Sequence, residues 1–288
     1  MYFYKICNDI LKSDFEIPFL IPSKDNENYK IKVYIEKNKI DAPSMLKRGN
    51  TSYSKGEIFY KDKKENIFKI ANNNEISVYP AANYCISDIA EGIIGIPLGH
   101  ALTRLNYNVL HGSAVSKNNN AACIFGFSGL GKSTIALSLW NRGYDFITED
   151  LSVFKNNYIF HLHPWAKVDK STHRDLKIKL KHKIKLKDKR QRDFYKIDSK
   201  ICKEQCKVKL AIFPENSDKN EIIKLSKIDS FKYLFSHFYR DIGTSKKNLE
   251  HISALSESLE SYIFRRNPKK SIQYNISFLF EFIDQKLN

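Results

Sequence analysis

Two glycines separated by four residues, the second followed by Lys and Ser, stand between two apolar runs of different period: Gly126-Phe127-Ser128-Gly129-Leu130-Gly131-Lys132-Ser133. Before them, Ala121–Phe125 is an unbroken apolar stretch of strand length. After them, Ile135, Ala136, Leu139 and Trp140 recur at helical spacing, and Gly143 sits where a helix C-terminal glycine belongs. A chain with this arrangement must form strand, loop and helix in succession.

That context is the one a phosphate-binding loop needs. Glycines let backbone N–H groups curl around anionic oxygens without side-chain clashes, and the start of the following helix adds its positive end. Gly126, Ser128, Gly129, Leu130, Gly131, Lys132, Ser133 and Thr134 are the residues expected to hold the phosphates of ATP or a related nucleoside triphosphate. Lys132 is expected to reach the β- and γ-phosphates, and the Ser133 hydroxyl to bind Mg²⁺. The next strand, Tyr144–Thr148, ends in the acidic doublet Glu149-Asp150. A carboxylate in this place holds Mg²⁺, for which Asp150 is the candidate beside Ser133, and a second can accept a proton from an attacking hydroxyl. Which of the two acids is the base stays open. Upstream, Val109–Val115 reads as a strand carrying His111-Gly112, with a turn at Lys117–Asn120. Together these segments predict an α/β core.

Composition narrows the rest. The chain is 42% hydrophobic and 13% aromatic, enough for a core, and no stretch approaches the ~20 apolar residues that span a bilayer. The start shows no secretory-signal pattern. Five scattered cysteines argue against a disulfide framework, and the close pair Cys202 and Cys206 lacks zinc-site neighbours, so a reducing, cytoplasmic address is expected. The formal net charge of +16 implies attraction to something acidic: nucleotide, acidic peptide, nucleic acid or anionic lipid.

Before residue 85 the chain reads as β-rich. Strands are expected at Tyr29–Glu36, Asn66–Ile70 and Glu75–Tyr79, with a polar, loop-rich stretch over Asp41–Lys64. Ser87–Asn106 has helical periodicity interrupted near Pro97. Two domains are expected: an N-terminal β-rich unit over 1–84 and the phosphate-loop domain over 85–288. In the latter, Lys207–Phe213 reads as a strand and Ser230–Tyr239 as a helix. From Leu176 to Lys187 apolar residues and lysines alternate, which predicts an extended strand with six lysines on one face. Such a ribbon either blocks edge aggregation or docks an acidic peptide. Nucleic acid is not expected, because no aromatic interleaving accompanies it.

His111–Val115, Gly126–Thr134, Arg142-Gly143 and Thr148-Glu149-Asp150 resemble, in order and spacing, the HPr kinase/phosphorylase superfamily, whose nucleotide fold is related to that of phosphoenolpyruvate carboxykinases. The rest of the chain resembles the HPr-kinase-related proteins of peptide-maturation clusters, lasso peptide kinases among them. The resemblance implies a P-loop kinase core with a small N-terminal β-rich unit and a C-terminal α+β substrate side. It also implies His111 near the γ-phosphate or the acidic doublet, with Glu149, Asp150 and Lys132 as the other catalytic groups. His163–Val168 takes the place of a proline-containing turn on the substrate side. The family doublet is commonly two aspartates, whereas Glu149 stands first here, and no counterpart of the phosphorylase signature follows, so reverse phosphorolysis is not expected. The implied reaction is ATP- and Mg²⁺-dependent phosphorylation of a serine on a peptide or small protein, an acidic one included. A kinase of free serine or a nucleotide-binding regulatory module are the alternatives, and self-association is left open.

Overall fold

The structure is a computed structural model that describes residues 1–38, 40, 47–48, 50–54, 56–177, 182–185, 192–202, 204–239 and 246–288. The chain divides into two compact units, one of Met1–Val109 and Tyr239–Thr244, the other of Leu110–Phe238 and Ser245–Asn288.

The first unit is a nine-stranded sheet with two helices. Its strands are β1 (Tyr2–Ile6), β2 (Asp9–Ser13), β3 (Ile21–Pro22), β4 (Ile31–Ile35), β5 (Lys47–Arg48), β6 (Thr51–Ser54), β7 (Glu57–Lys61), β8 (Ile67–Ile70) and β9 (Glu75–Tyr79). They lie in the order β3-β1-β2-β4-β9-β8-β7-β6-β5. The stretch 41–64, expected to be loop-rich, instead contributes β5, β6 and β7. These strands pair antiparallel, Ile58 and Phe59 of β7 are buried, and Gly56, at φ +80°, supplies the turn between β6 and β7. The helical run breaks at Gly95 into α1 (Ile86–Ile93) and α2 (Ile96–Arg104), and Pro97 falls in the first turn of α2, where its missing N–H costs nothing. Both helices belong to this unit, so the division falls after Val109 and not near 85. The cause is packing: the Phe68 ring of β8 lies where a side chain on Gly92 would go, and Arg104 donates to the carbonyls of Ile70 and Ala71.

The second unit is mixed α/β. Its elements are β10 (Asn108–Lys117), β11 (Asn120–Phe125), α3 (Lys132–Asn141), β12 (Asp145–Thr148), β13 (Leu151–Lys155), β14 (Tyr158–Phe160), β15 (Trp165–Asp169) and α4 (Lys170–Leu176). There follow β16 (Lys183–Lys185), β17 (Arg192–Lys196), β18 (Gln205–Asn216), β19 (Glu221–Lys224), α5 (Lys227–Ser236), α6 (Lys246–Ser258), β20 (Glu260–Arg266) and α7 (Ile272–Leu287). The main sheet runs β11-β10-β13-β14-β18-β20-β19; β12 pairs with β10, and β11 also pairs with β18. The pairs β11–β18 and β18–β20 are parallel, so three strands end on the same side. Both faces of β11 are buried, which is why its sequence is apolar without alternation. Ala121, Cys123 and Phe125 join a core with Phe213, Leu234 and Leu255. Ala122 and Ile124 face Ile135 and Leu139 of α3 and Leu279 of α7.

The lysine ribbon takes another form where it is described. Asp169 accepts a hydrogen bond from the Thr172 amide (2.7 Å) and caps a helix that continues through Leu176, so the alternation begins on a residue already helical. Lys183–Lys185 alone forms a strand, in a small sheet ordered β15-β17-β16. Residues 178–181, 186 and 187 lie outside the described residues.

Candidate active site

The loop Gly126–Gly131 leaves the C-terminal end of β11 and enters α3. Gly129 and Gly131 have φ of +94° and +82°, a left-handed backbone that side chains strongly disfavour. The Gly131 carbonyl accepts the first helical bond from Ile135 N (2.9 Å). Lys132, 7% exposed, curls back over its own loop, its Nζ donating to the carbonyls of Gly126 (2.8 Å) and Phe127 (3.4 Å). Ser128 and Gly129 are exposed at the loop tip. The Thr134 hydroxyl is hydrogen-bonded with that of Thr172 of α4 at 3.0 Å.

Glu149 and Asp150 follow β12. Glu149, 4% exposed, accepts at Oε1 from Ser133 Oγ (2.6 Å) and at Oε2 from the Lys167 amide (3.2 Å). Asp150 adopts φ +75°, and this left-handed step turns its side chain away from that of its neighbour. Its carboxylate meets Lys167 Nζ at 3.4 Å and lies 3.6 Å from His111 Nδ1, with its side chain 35% exposed. Of the two acids, Glu149 is the one that bonds to Ser133, and Asp150 stands with His111 and Lys167.

His111 is held by backbone. Its Nδ1 lies 3.0 Å from the Asp150 carbonyl oxygen. A carbonyl only accepts, so Nδ1 carries the proton and the lone pair of the neutral ring is on Nε2. Its own amide donates to the His237 carbonyl (2.9 Å). The His237 ring lies 5.1 Å from that of Phe127, which is 69% exposed in the loop.

The two acids are held at opposite ends of the carboxylate range. Burial, and then the charge of Asp150, pushes Glu149 up. Burial would also raise Asp150, but Lys167, the facing His111 ring, Arg192 and Lys132 together outweigh it and hold the group well below its ordinary value. Burial lowers His111, with Asp150 opposing, so the ring favours its neutral form at pH 7. One acid that keeps its proton more readily beside one that stays ionised is a pair of groups set for different tasks.

Lys167 is the residue sequence reasoning passed over. It bonds to Glu149 through its amide and to Asp150 through its amine, which also lies 5.2 Å from the Phe194 ring centre. It reaches the doublet because β15 passes beneath it, a tertiary placement with no local pattern to announce it. Among the described residues no three His, Cys, Asp or Glu side chains gather to hold a metal alone. Ser133 Oγ and Glu149 nevertheless present two hard oxygen donors side by side, which suits Mg²⁺ completed by phosphate and water.

Neither a family model nor a curated protein sequence matches the chain. Among solved structures, the chain is similar to the HPr(Ser) kinase/phosphatase from Coxiella burnetii, with a TM-score of 0.35 and 13% identity over 62% of this chain and 92% of that one.

Proposed function

We propose that this protein is an ATP-dependent phosphotransferase that moves the γ-phosphoryl group to a hydroxyl, the serine of a peptide or small protein. The observation that carries the reading is the meeting of the loop with the doublet: the Ser133 hydroxyl lies 2.6 Å from Glu149, and Asp150 stands next in the chain with His111 and Lys167 on it. Phosphoryl transfer asks for positioning and charge neutralisation more than for covalent chemistry, and the arrangement offers both. The loop amides and Lys132 would cradle the phosphates, the amine exchanging the Gly126 carbonyl for phosphate oxygen. Ser133 and Glu149 would hold Mg²⁺, which when bound neutralises charge on the β- and γ-phosphates. Asp150, ionised and half-exposed, would align the acceptor hydroxyl and take its proton as the new bond forms. Lys167 would keep Asp150 charged, and the neutral His111 ring, bonded through Nδ1–H to the Asp150 carbonyl, would hold that residue in place.

The test separates the two acids. Asp150→Asn is expected to lower turnover about 100-fold or more while changing ATP affinity less than about threefold. Glu149→Gln is expected to weaken Mg²⁺-dependent ATP binding first. Transfer of ³²P from labelled ATP to serine peptides and to free serine, with nucleotide affinity by calorimetry, gives both numbers. Wild-type turnover in the Asp150 variant, or no transfer to any hydroxyl by the wild type, would sink the reading.

A further inference from the structure

β20 alternates its side chains between two cores. Tyr262 and Phe264 lie in the core shared with α3 and α7. By the period of two, Arg266 follows them on the α3 face, at the strand end where that face runs out under the start of the helix. Arg265, on the opposite face, meets Glu215 Oε2 at 3.7 Å and Glu221 Oε2 at 3.2 Å. Arg266 has no such counterpart among the described residues. Its Nε is buried without a hydrogen-bond partner, and its outer edge faces the phosphate loop. A methyl group on Gly131 would lie 3.2 Å from Nη1, 3.4 Å from Cζ and 3.5 Å from Nη2.

A guanidinium cannot shed its proton to relieve burial, so a half-buried one without an acid is an uncompensated charge. Burial alone acts on the Arg266 proton affinity, with no carboxylate to offset it. A planar fork of donors is the shape that grips two oxygens of a phosphate. We infer that Arg266 completes the loop as its second cation, gripping phosphate oxygens of the bound nucleotide at the Gly131 end while Lys132 holds the other. This rests on the kinase reading above, and it adds a residue 133 positions beyond Ser133 to the binding site.

The experiment compares wild type, Arg266→Met and Arg266→Lys, binding ADP and inorganic pyrophosphate by calorimetry, with thermal unfolding of the free protein. Met keeps the apolar stem and removes the charge. The expected result is a loss of about tenfold or more for both ligands with Met and an intermediate loss with Lys. The free Met variant is expected to melt at or above the wild-type temperature, since it has lost an uncompensated charge. A structural role for Arg266 would instead lower the melting temperature, and that result overturns the inference. So does unchanged affinity, and so does loss for ADP with pyrophosphate untouched, which would put the contact on the nucleoside. A wild-type protein that binds neither ADP nor ATP sinks the kinase reading together with this one, whereas wild-type binding retained in Arg266→Met sinks this one alone.

Discussion

Gly112 is fixed by its neighbour and not by its own backbone. A Cβ there would lie 2.5 Å from the Phe125 ring and 2.8 Å from the Ile124 carbonyl oxygen, because Gly112 of β10 pairs antiparallel with Phe125 of β11 and the ring fills the space a side chain would take. Gly112→Val is therefore expected to cost about 1–3 kcal/mol in urea unfolding, the range for overpacking a filled core. A change below about 0.5 kcal/mol would mean that β11 yields freely. The same pair of strands shows what is legible at this scale. Lys132, Ser133, Glu149 and Asp150 are candidates from sequence because each sits in or beside a short motif whose spacing implies its neighbours, and His111 is one through the resemblance alone. Lys167 and Arg266 are not, because each reaches the loop or doublet through the pairing of a strand tens of residues away. Which acid meets Ser133 could not be read either, since the chain takes a left-handed step at Asp150 between β12 and β13.

The elements divide along the same line. β11, α3 and β12 announce themselves through an apolar run, a 3.6 period and a closing glycine, and their bounds follow the sequence closely. β5 and β6 do not, because short polar strands are stabilised by their neighbours' main chains, and β7 offers only Ile58-Phe59-Tyr60 between charged residues, too short a run to mark a strand. α4 is short and polar, so no periodicity announces it, and the period of two begins only at its last residue, Leu176. Asp169 accepts from the Thr172 amide and hydroxyl and from Ser171 Oγ, while Thr172 in turn touches Thr134 behind the loop. Asp169→Ala is expected to lower stability by about 0.5–2 kcal/mol, the ordinary worth of an N-cap. Circular dichroism through a urea titration reads the loss. A midpoint equal to wild type would show that α4 is held by the packing of Leu176 alone.

At the scale of the whole molecule, buried histidines set the response to acid. Burial lowers His161 and His163, the latter to about 3, and burial lowers His237 to about 4, with Lys132 and His111 adding to it; His111 is lowered as well. In the unfolded chain each returns to about 6.5. Below that pH the unfolded state takes up protons that the native state refuses, so stability is full above pH 6.5 and is lost as pH falls toward 4. Glu149 works in the opposite sense, since its raised value favours the native state on the acid side, but it is one group against four. The melting temperature is expected to fall steadily from pH 7 to pH 5, and a flat or rising curve would contradict the burial of these rings. No helix of the described residues is long and apolar enough to cross a membrane.

The loop rests on the ends of three parallel strands that the chain supplies far apart. Gly126 follows β11, Pro214 of β18 lies 3.5 Å from where a Cβ on Gly126 would be, and Arg266 of β20 lies against Gly131. A fragment that stops before β20 would carry the whole glycine motif and still lack part of its floor. On the reading proposed above, nucleotide would recognise only the assembled fold, and its binding energy would add to the native state by mass action without guiding the chain toward it.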